Sequence, residues 1–274
     1  LSVRDHTGDS LVRTHTLSGN LVSTLGPNWI NEFRFQWGRD SEPGTANSTE
    51  AEAVLREAGT TFLLIGRNNF SPRETTINRG QFVDNVSYVR GKHSFRLGTD
   101  INLERILNFF PGLFSGSYTF FSLADFLDNR RPDAAAPLTG RYQQGFGGAG
   151  TSGPTTQPDI TEYSWFVQDE YRATSNLTLS FGLRYDVQTN AKPSVFNPDP
   201  QLAARGVNTG QMNTDKNNFG SRFGFAWSPR FRRQWVVRGG YGIYYGRTPS
   251  IMTATATSQN GLQVLNLDVA GNLA

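Results

Sequence analysis

Apolar and polar residues alternate along much of this chain with a period of two, the spacing that sends successive side chains to opposite faces of a β-strand. Residues 177–187 show it most cleanly: Leu177, Leu179, Phe181, Leu183, Tyr185 and Val187 oppose Thr178, Ser180, Gly182, Arg184 and Asp186. In 94–105, Phe95, Leu97, Ile101 and Leu103 oppose Arg96, Gly98, Asp100, Asn102 and Glu104. Trp29, Phe33, Phe35 and Trp37 oppose Arg34, Gln36 and Gly38, and Phe219, Phe223, Phe225 and Trp227 oppose Gly220, Arg222, Gly224 and Ala226. The pattern predicts eight strands in four pairs: 12–23 with 29–39, 81–90 with 94–105, 161–172 with 177–187, and 219–227 with 235–245. Residues 81–90 and 161–172 carry apolar residues on both faces, which leaves their register open; a bulge or a protein-covered wall would each produce this.

Connections within the pairs are tight, whereas those between pairs run over roughly 40–80, 106–160 and 188–218. Long structureless loops are uncommon in compact soluble domains. Transmembrane barrels have short periplasmic turns and long extracellular loops, and their strands need about 9–11 residues to cross the bilayer. Within the loops, residues 50–58 read as a helix capped by Ser48 or Thr49 and stopped at Gly59. Residues 122–128 read as a second helix, with Ser122 and Asp125 in a partial capping box. Residues 140–160, rich in Gly, Thr, Ser and Pro, read as mobile loop.

Composition agrees with a β-protein: aromatic residues make up 12% of the chain, with 20 Phe against 2 Met, and there are 29 Gly. No run approaches the 18 apolar residues of a transmembrane helix, but a barrel hides its apolar content by alternation, so a mean hydropathy of −0.46 is compatible with one. Cysteine is absent, which excludes disulfides and cysteine-ligated metals here. The net charge of +3 rests almost wholly on arginine, since Lys92, Lys192 and Lys216 are the only lysines. These arginines are spread among Asp and Glu, not gathered in the patch that a nucleic-acid partner requires.

Few residues suggest catalysis. Residues 145–150 match G-x-G-x-x-G, yet Thr151-Ser152-Gly153-Pro154 follows, where a dinucleotide site needs a helix. His6, His15 and His93 have no metal-ligand spacing, and His93 falls in an expected solvent-exposed turn. Asp169 and Glu170 are strand neighbours pointing to opposite faces, and Asp125 and Asp128 lie on a short helix. The expectation is a non-enzymatic protein without cofactor or metal. Arg96, Asp100, Glu104, Arg184, Asp186, Arg222 and Arg238 are charged positions inside otherwise apolar strands. They read either as a lumen-facing ladder that meets substrate or a plug, or as mutual ion pairs holding a polar interior together. Trp29, Trp37, Tyr171, Tyr185, Trp227, Trp235, Tyr244 and Tyr245 fall near strand ends, as in the aromatic girdles of transmembrane barrels.

Several segments, in order, resemble the barrel of TonB-dependent receptors, and of the Oar-like subgroup in particular. Glu162 to Tyr171 is similar to the "FxQD" strand, Leu177 to Asp186 to "LTLNLGLRYE", Asn217 to Pro229 to "NNFAPRLGFAYDP", and Val237 to Tyr245 to "LRGGYGIYYD". Phe82 to Asn85 with Arg90 to Gly98 resembles the "F.DN.TW..G.HSLKFG" hairpin, and Ser122 to Leu127 a loop motif of the subgroup. Ser221 stands where the family usually has Pro. The resemblance implies an all-β, antiparallel transmembrane outer-membrane barrel segment with residues 1–274 as a partial barrel domain. It implies partners in the bilayer, in lipopolysaccharide, in TonB through a plug domain, and in an imported substrate of unknown kind. No signal peptide, plug or terminal aromatic residue is visible, so the expectation is a piece of a longer chain. Two alternatives stay open: a self-contained eight-stranded barrel of structural or adhesive role, and a soluble β-sandwich that binds glycans.

Overall fold

In the computed structural model, residues 2–128, 139–229 and 235–272 are described. All eight expected strands are present, most of them longer than the alternation suggested. They are β1 (Arg13–Gly26), β2 (Trp29–Gly44), β5 (Arg73–Arg90), β6 (His93–Phe109), β10 (Ile160–Thr174), β11 (Leu177–Asn190), β12 (Phe219–Trp227) and β13 (Val237–Gly242). Each pairs antiparallel with the next in the order β1-β2-β5-β6-β10-β11-β12-β13, a continuous meander. The hairpins turn on two residues, Pro27-Asn28, Gly91-Lys92 and Ser175-Asn176. The connection from β12 to β13 lies partly outside the described residues.

Strands such as β6, with 17 residues, exceed what a bilayer crossing requires. At the usual tilt of such barrels they rise well beyond an apolar band about 25 Å tall. Their surplus lies at the long-loop end, where the loops build a second sheet of five strands in the order β14-β8-β7-β3-β4. Its members are β3 (Glu52–Glu57), β4 (Thr60–Ile65), β7 (Ser117–Phe120), β8 (Thr139–Gly147) and β14 (Val264–Asn272). A short strand β9 (Thr155–Thr156) joins the first sheet at the end of β6. Helices are short: α1 (Leu123–Asp128), α2 (Pro200–Ala204) and α3 (Ser250–Ser258).

Two expectations are corrected here. Residues 50–58 are no helix: they hold β3, which turns into β4 through Ala58 and Gly59, both at positive φ (48° and 80°), as a type I′ hairpin requires. Pairing decides the matter, because β3 also runs parallel to β7, with Leu55 fully buried and Glu52 accepting a hydrogen bond from Ser117 Oγ at 2.7 Å. Tertiary pairing of this kind overrides weak helix propensity. Residues 140–160 are likewise ordered in part, as β8 and β9; Gly145 lets the Phe114 ring lie against the β8 backbone. The expected helix at 122–128 is present as α1, with Ser122 Oγ accepting from the Asp125 amide at 3.1 Å.

The small buried core sits in this second layer and at the adjoining ends of the long strands: Leu55, Ile106, Phe120, Ile160, Ala254 and Val264. The accessible surface is 17505 Å². A compact soluble chain of this mass exposes only about 12000 Å². The open meander contributes to the excess: along β1, side chains of both faces are exposed.

Candidate functional site

Register fixes which side chains share a face, and the two faces of the meander differ sharply. One row across the strands reads Asn20, Arg34, Val83, Asp100, Ser164 and Asp186; the next reads Ser18, Gln36, Gln81, Asn102, Glu162 and Gln188. The opposite face carries Leu17, Phe33, Phe82, Leu97, Trp165, Phe181, Leu183 and Phe223, each more than a third exposed. An apolar surface of this extent, uncovered by the second sheet, needs a non-aqueous solvent. A soluble sandwich would have to bury it, so that expectation does not hold.

The polar face is the concave working surface. Its β1, β2, β5 and β6 part lines a cleft of about 480 Å³, with Asn20, Arg34, Gln81 and Asp100 on its walls. Toward the long-loop end the face closes into a charged cluster. Glu104, 5% exposed at its side chain, accepts from Arg79 Nε at 2.9 Å and from Arg247 at 3.2 Å. Glu162 accepts from Arg247 at 2.8 Å, and Asn102 donates to both carboxylates. A buried carboxylate persists only with such compensation.

The seven charged positions named from the sequence all lie on this face by register, but they do not form one site. Arg184 and Asp186 pair with each other at 2.9 Å, and Ser164 Oγ donates to Asp186 at 2.6 Å. Asp100 accepts from Gln81 at 3.0 Å. Arg222 lies under the Tyr244 ring, 4.7 Å from its centroid. Arg96 and Arg238 have no ionic partner among the described residues and stand exposed. Arg79, Asn102, Glu162 and Arg247 complete the cluster and were not singled out. Glu162 was legible, since it shares the period-two face of Ser164, Gln168 and Glu170; Arg247 lies in a loop and no local pattern marks it.

Of the aromatic residues, Trp29, Trp37, Tyr171, Tyr185 and Trp227 fall on the apolar face, where Trp29 stacks on Tyr88 at 4.1 Å and the Tyr185 ring lies tilted against Phe219 at 4.6 Å. Trp235 lies just before β13. Tyr245 departs from the expectation: it follows β13 and lines a cleft with Ser164, Asp186 and Arg247 on the polar side. Polar groups at two places on the apolar face are paired. Asn31 donates to Asp84 at 2.6 Å, and His93 Nδ1 meets Asp169 at 2.7 Å between the rings of Phe95 and Tyr171. His93 is therefore the half-buried first residue of β6, not the exposed turn residue that was expected.

A family model described as the outer membrane beta barrel domain matches residues 3–272. The chain belongs to the outer membrane β-barrel domain family. No curated protein and no solved structure gives a significant match. The apolar face of the barrel domain accordingly meets the bilayer of the cell outer membrane, and its polar face is the lumen side. By the rule for such barrels the two-residue hairpins are periplasmic, and the second sheet stands outside the cell near the lipopolysaccharide. In that outer layer Arg141 pairs with Asp268, with Nε donating at 2.8 Å. That hydrogen bond holds the Asp268 carboxyl below its ordinary range and raises the arginine above its own. Burial, with the neighbouring Tyr118 adding to it, raises the Tyr142 phenol. Among the described residues no group of three acidic, histidine or cysteine side chains is placed to hold a metal ion.

Proposed function

We propose that the barrel domain is part of the wall of a TonB-dependent transporter of the Oar-like kind, and that its lumen passes a substrate inward across the outer membrane. The observation that carries this reading is the pair of open edges. Among the described residues β1 and β13 end the meander and are not paired with each other. In lipid an unpaired strand edge is not tolerated, because nothing there satisfies its backbone groups. Further strands must therefore complete the wall. Eight strands would leave an interior just filled by side chains, whereas a larger number leaves a lumen wide enough for transport. The ordered series of strand motifs resembling TonB-dependent receptors supports the energised mode. In this reading the domain acts by binding and gating and performs no chemistry.

The test uses the full-length protein in the outer membrane. Leu17→Cys on β1 and Tyr241→Cys on β13 are introduced together and treated with a short bifunctional thiol reagent. A closed eight-stranded barrel places these residues on adjacent strands and cross-links them; a wider wall does not. Binding of the soluble periplasmic domain of TonB to the purified protein then tests the energised mode. Cross-linking together with no TonB binding would overturn the proposal.

A further inference from the structure

The chain after β13 does not continue outward with its strand. Ile243 still donates to Ser221 at 2.9 Å on β12, and from there residues 244–249 turn across the polar face. Tyr244 covers Arg222. Thr248 exchanges two hydrogen bonds with Gln188 of β11, at 2.9 and 3.1 Å. Arg247 reaches Glu162 on β10 and Glu104 on β6. β6 lies four strand spacings from β13, about 19 Å. The backbone need cover only the two spacings to β11, where Thr248 is bonded, and the Arg247 side chain covers the rest.

Beyond the strap, α3 is fastened to the outer layer. Thr253, Ala254 and Thr257 are buried, and Asn260, just past the helix, accepts from Asn197 at 2.8 Å and donates to Val195 at 3.0 Å. The strap is thus held by the wall at one end and by the outer layer at the other. Between them it is fastened chiefly by Arg247 and Thr248, and Arg247 is half exposed (52%) over carboxylates that are 5% and 17% exposed. A half-exposed cation over one buried and one part-buried carboxylate is a latch that can open by rotation of the Arg247 side chain alone.

We infer that residues 243–249 form an inward-folded gate at the external mouth of the lumen, latched by Arg247 on Glu104 and Glu162, which limits what reaches the lumen beneath it. The gate closes over the cleft containing Ser164 and Asp186. Its substrates are polar solutes that enter when the latch opens, and the exchangeable charge at the constriction is cationic on the gate and anionic on the wall. The inference rests on the polar face being a lumen; it does not need TonB coupling and survives if that reading fails.

Residues 1–274 contain no cysteine, and any elsewhere in the full-length protein is first replaced by serine, so that introduced thiols report singly. In the full-length protein in intact cells, Gln188→Cys with Thr248→Cys should cross-link through a short bifunctional thiol reagent. Val187→Cys with Thr248→Cys should not, because Val187 lies on the opposite face. Separately, Ser164→Cys should react slowly with a membrane-impermeant maleimide added outside. Arg247→Ala in the same background should speed that reaction about tenfold, the scale of one lost charged hydrogen bond. Heat-modifiable gel mobility verifies that each variant is folded. Absence of the 188–248 cross-link, or equal labelling of Ser164→Cys with and without Arg247, would overturn the gate.

Discussion

Gly98 gives a quantitative test of the register on the lumen side. A Cβ built on it would sit 2.3 Å from Asn85 Oδ1, 2.7 Å from Phe166 Cε1 and 2.8 Å from the Asp84 carbonyl oxygen. The first two neighbours are side-chain atoms and can move. The third is backbone of β5, hydrogen-bonded in the ladder beside β6, and yields only if the strands part. Overpacking of this kind costs about 1–3 kcal/mol, and a backbone obstruction belongs in the middle of that range. Gly98→Ala should therefore destabilise by about 2 kcal/mol, up to about thirtyfold in the folding equilibrium. Gly19 is the control: it also lies within a strand, but nothing stands within 4 Å of its Cβ position. Gly19→Ala should change stability by less than about 0.5 kcal/mol. The assay is reversible guanidinium unfolding of the full-length protein in phospholipid bilayers, followed by tryptophan fluorescence. If Gly98→Ala proved as mild as Gly19→Ala, Phe166 would not lie over Gly98 and the pairing of β5, β6 and β10 would be wrong.

Other predictions follow from the same geometry. Leu183→Arg, half-way along β11 on the apolar face, should cost about 2–4 kcal/mol, while Trp227→Arg at the hairpin end should cost about 0–1 kcal/mol, read in the same unfolding assay. Arg79→Ala and Arg247→Ala each leave Glu104 with one arginine and should cost about 1–3 kcal/mol; the double variant should exceed their sum, because the buried carboxylate then stands unpaired. Additivity would show that the two arginines act on different partners. The Arg141–Asp268 pair lowers the folded pKa of Asp268 from 3.8, so its contribution is full above that value and disappears as pH falls through the depressed one. The melting difference between wild type and Asp268→Asn should accordingly be flat above about pH 4 and vanish at lower pH; a difference that grew on acidification would contradict the pairing.

The strands of the meander were legible because most of them alternate and six of the eight are joined by two-residue hairpins, so that local and tertiary preferences agree. The two strands with unclear faces have particular explanations. Phe166 sits on the polar face because Gly98 opposite it leaves room for the ring, and Val83 lines the wall of a cleft there. The outer layer was not legible. β3 and β7 are short, mixed in pattern and held by parallel pairing across more than fifty residues, which no window of sequence reveals. The lumen-side charges could be placed on a face but not matched to partners, since Glu104 finds Arg247 at a separation of 143 residues. Arg184 with Asp186 is the case that sequence spacing could supply, two residues apart on one face.

The central claim is that the meander is a membrane wall with lipid on one face and water on the other. The direct measurement places single cysteines at each position from 178 to 187 on β11 of the full-length protein in bilayers. Each is labelled with an environment-sensitive fluorophore and quenched in turn by brominated lipid chains and by an aqueous quencher. Positions 179, 181, 183, 185 and 187 should respond to the lipid quencher, and 178, 180, 182, 184 and 186 to the aqueous one. Quenching without a period of two, or with the two sets exchanged, would contradict the account.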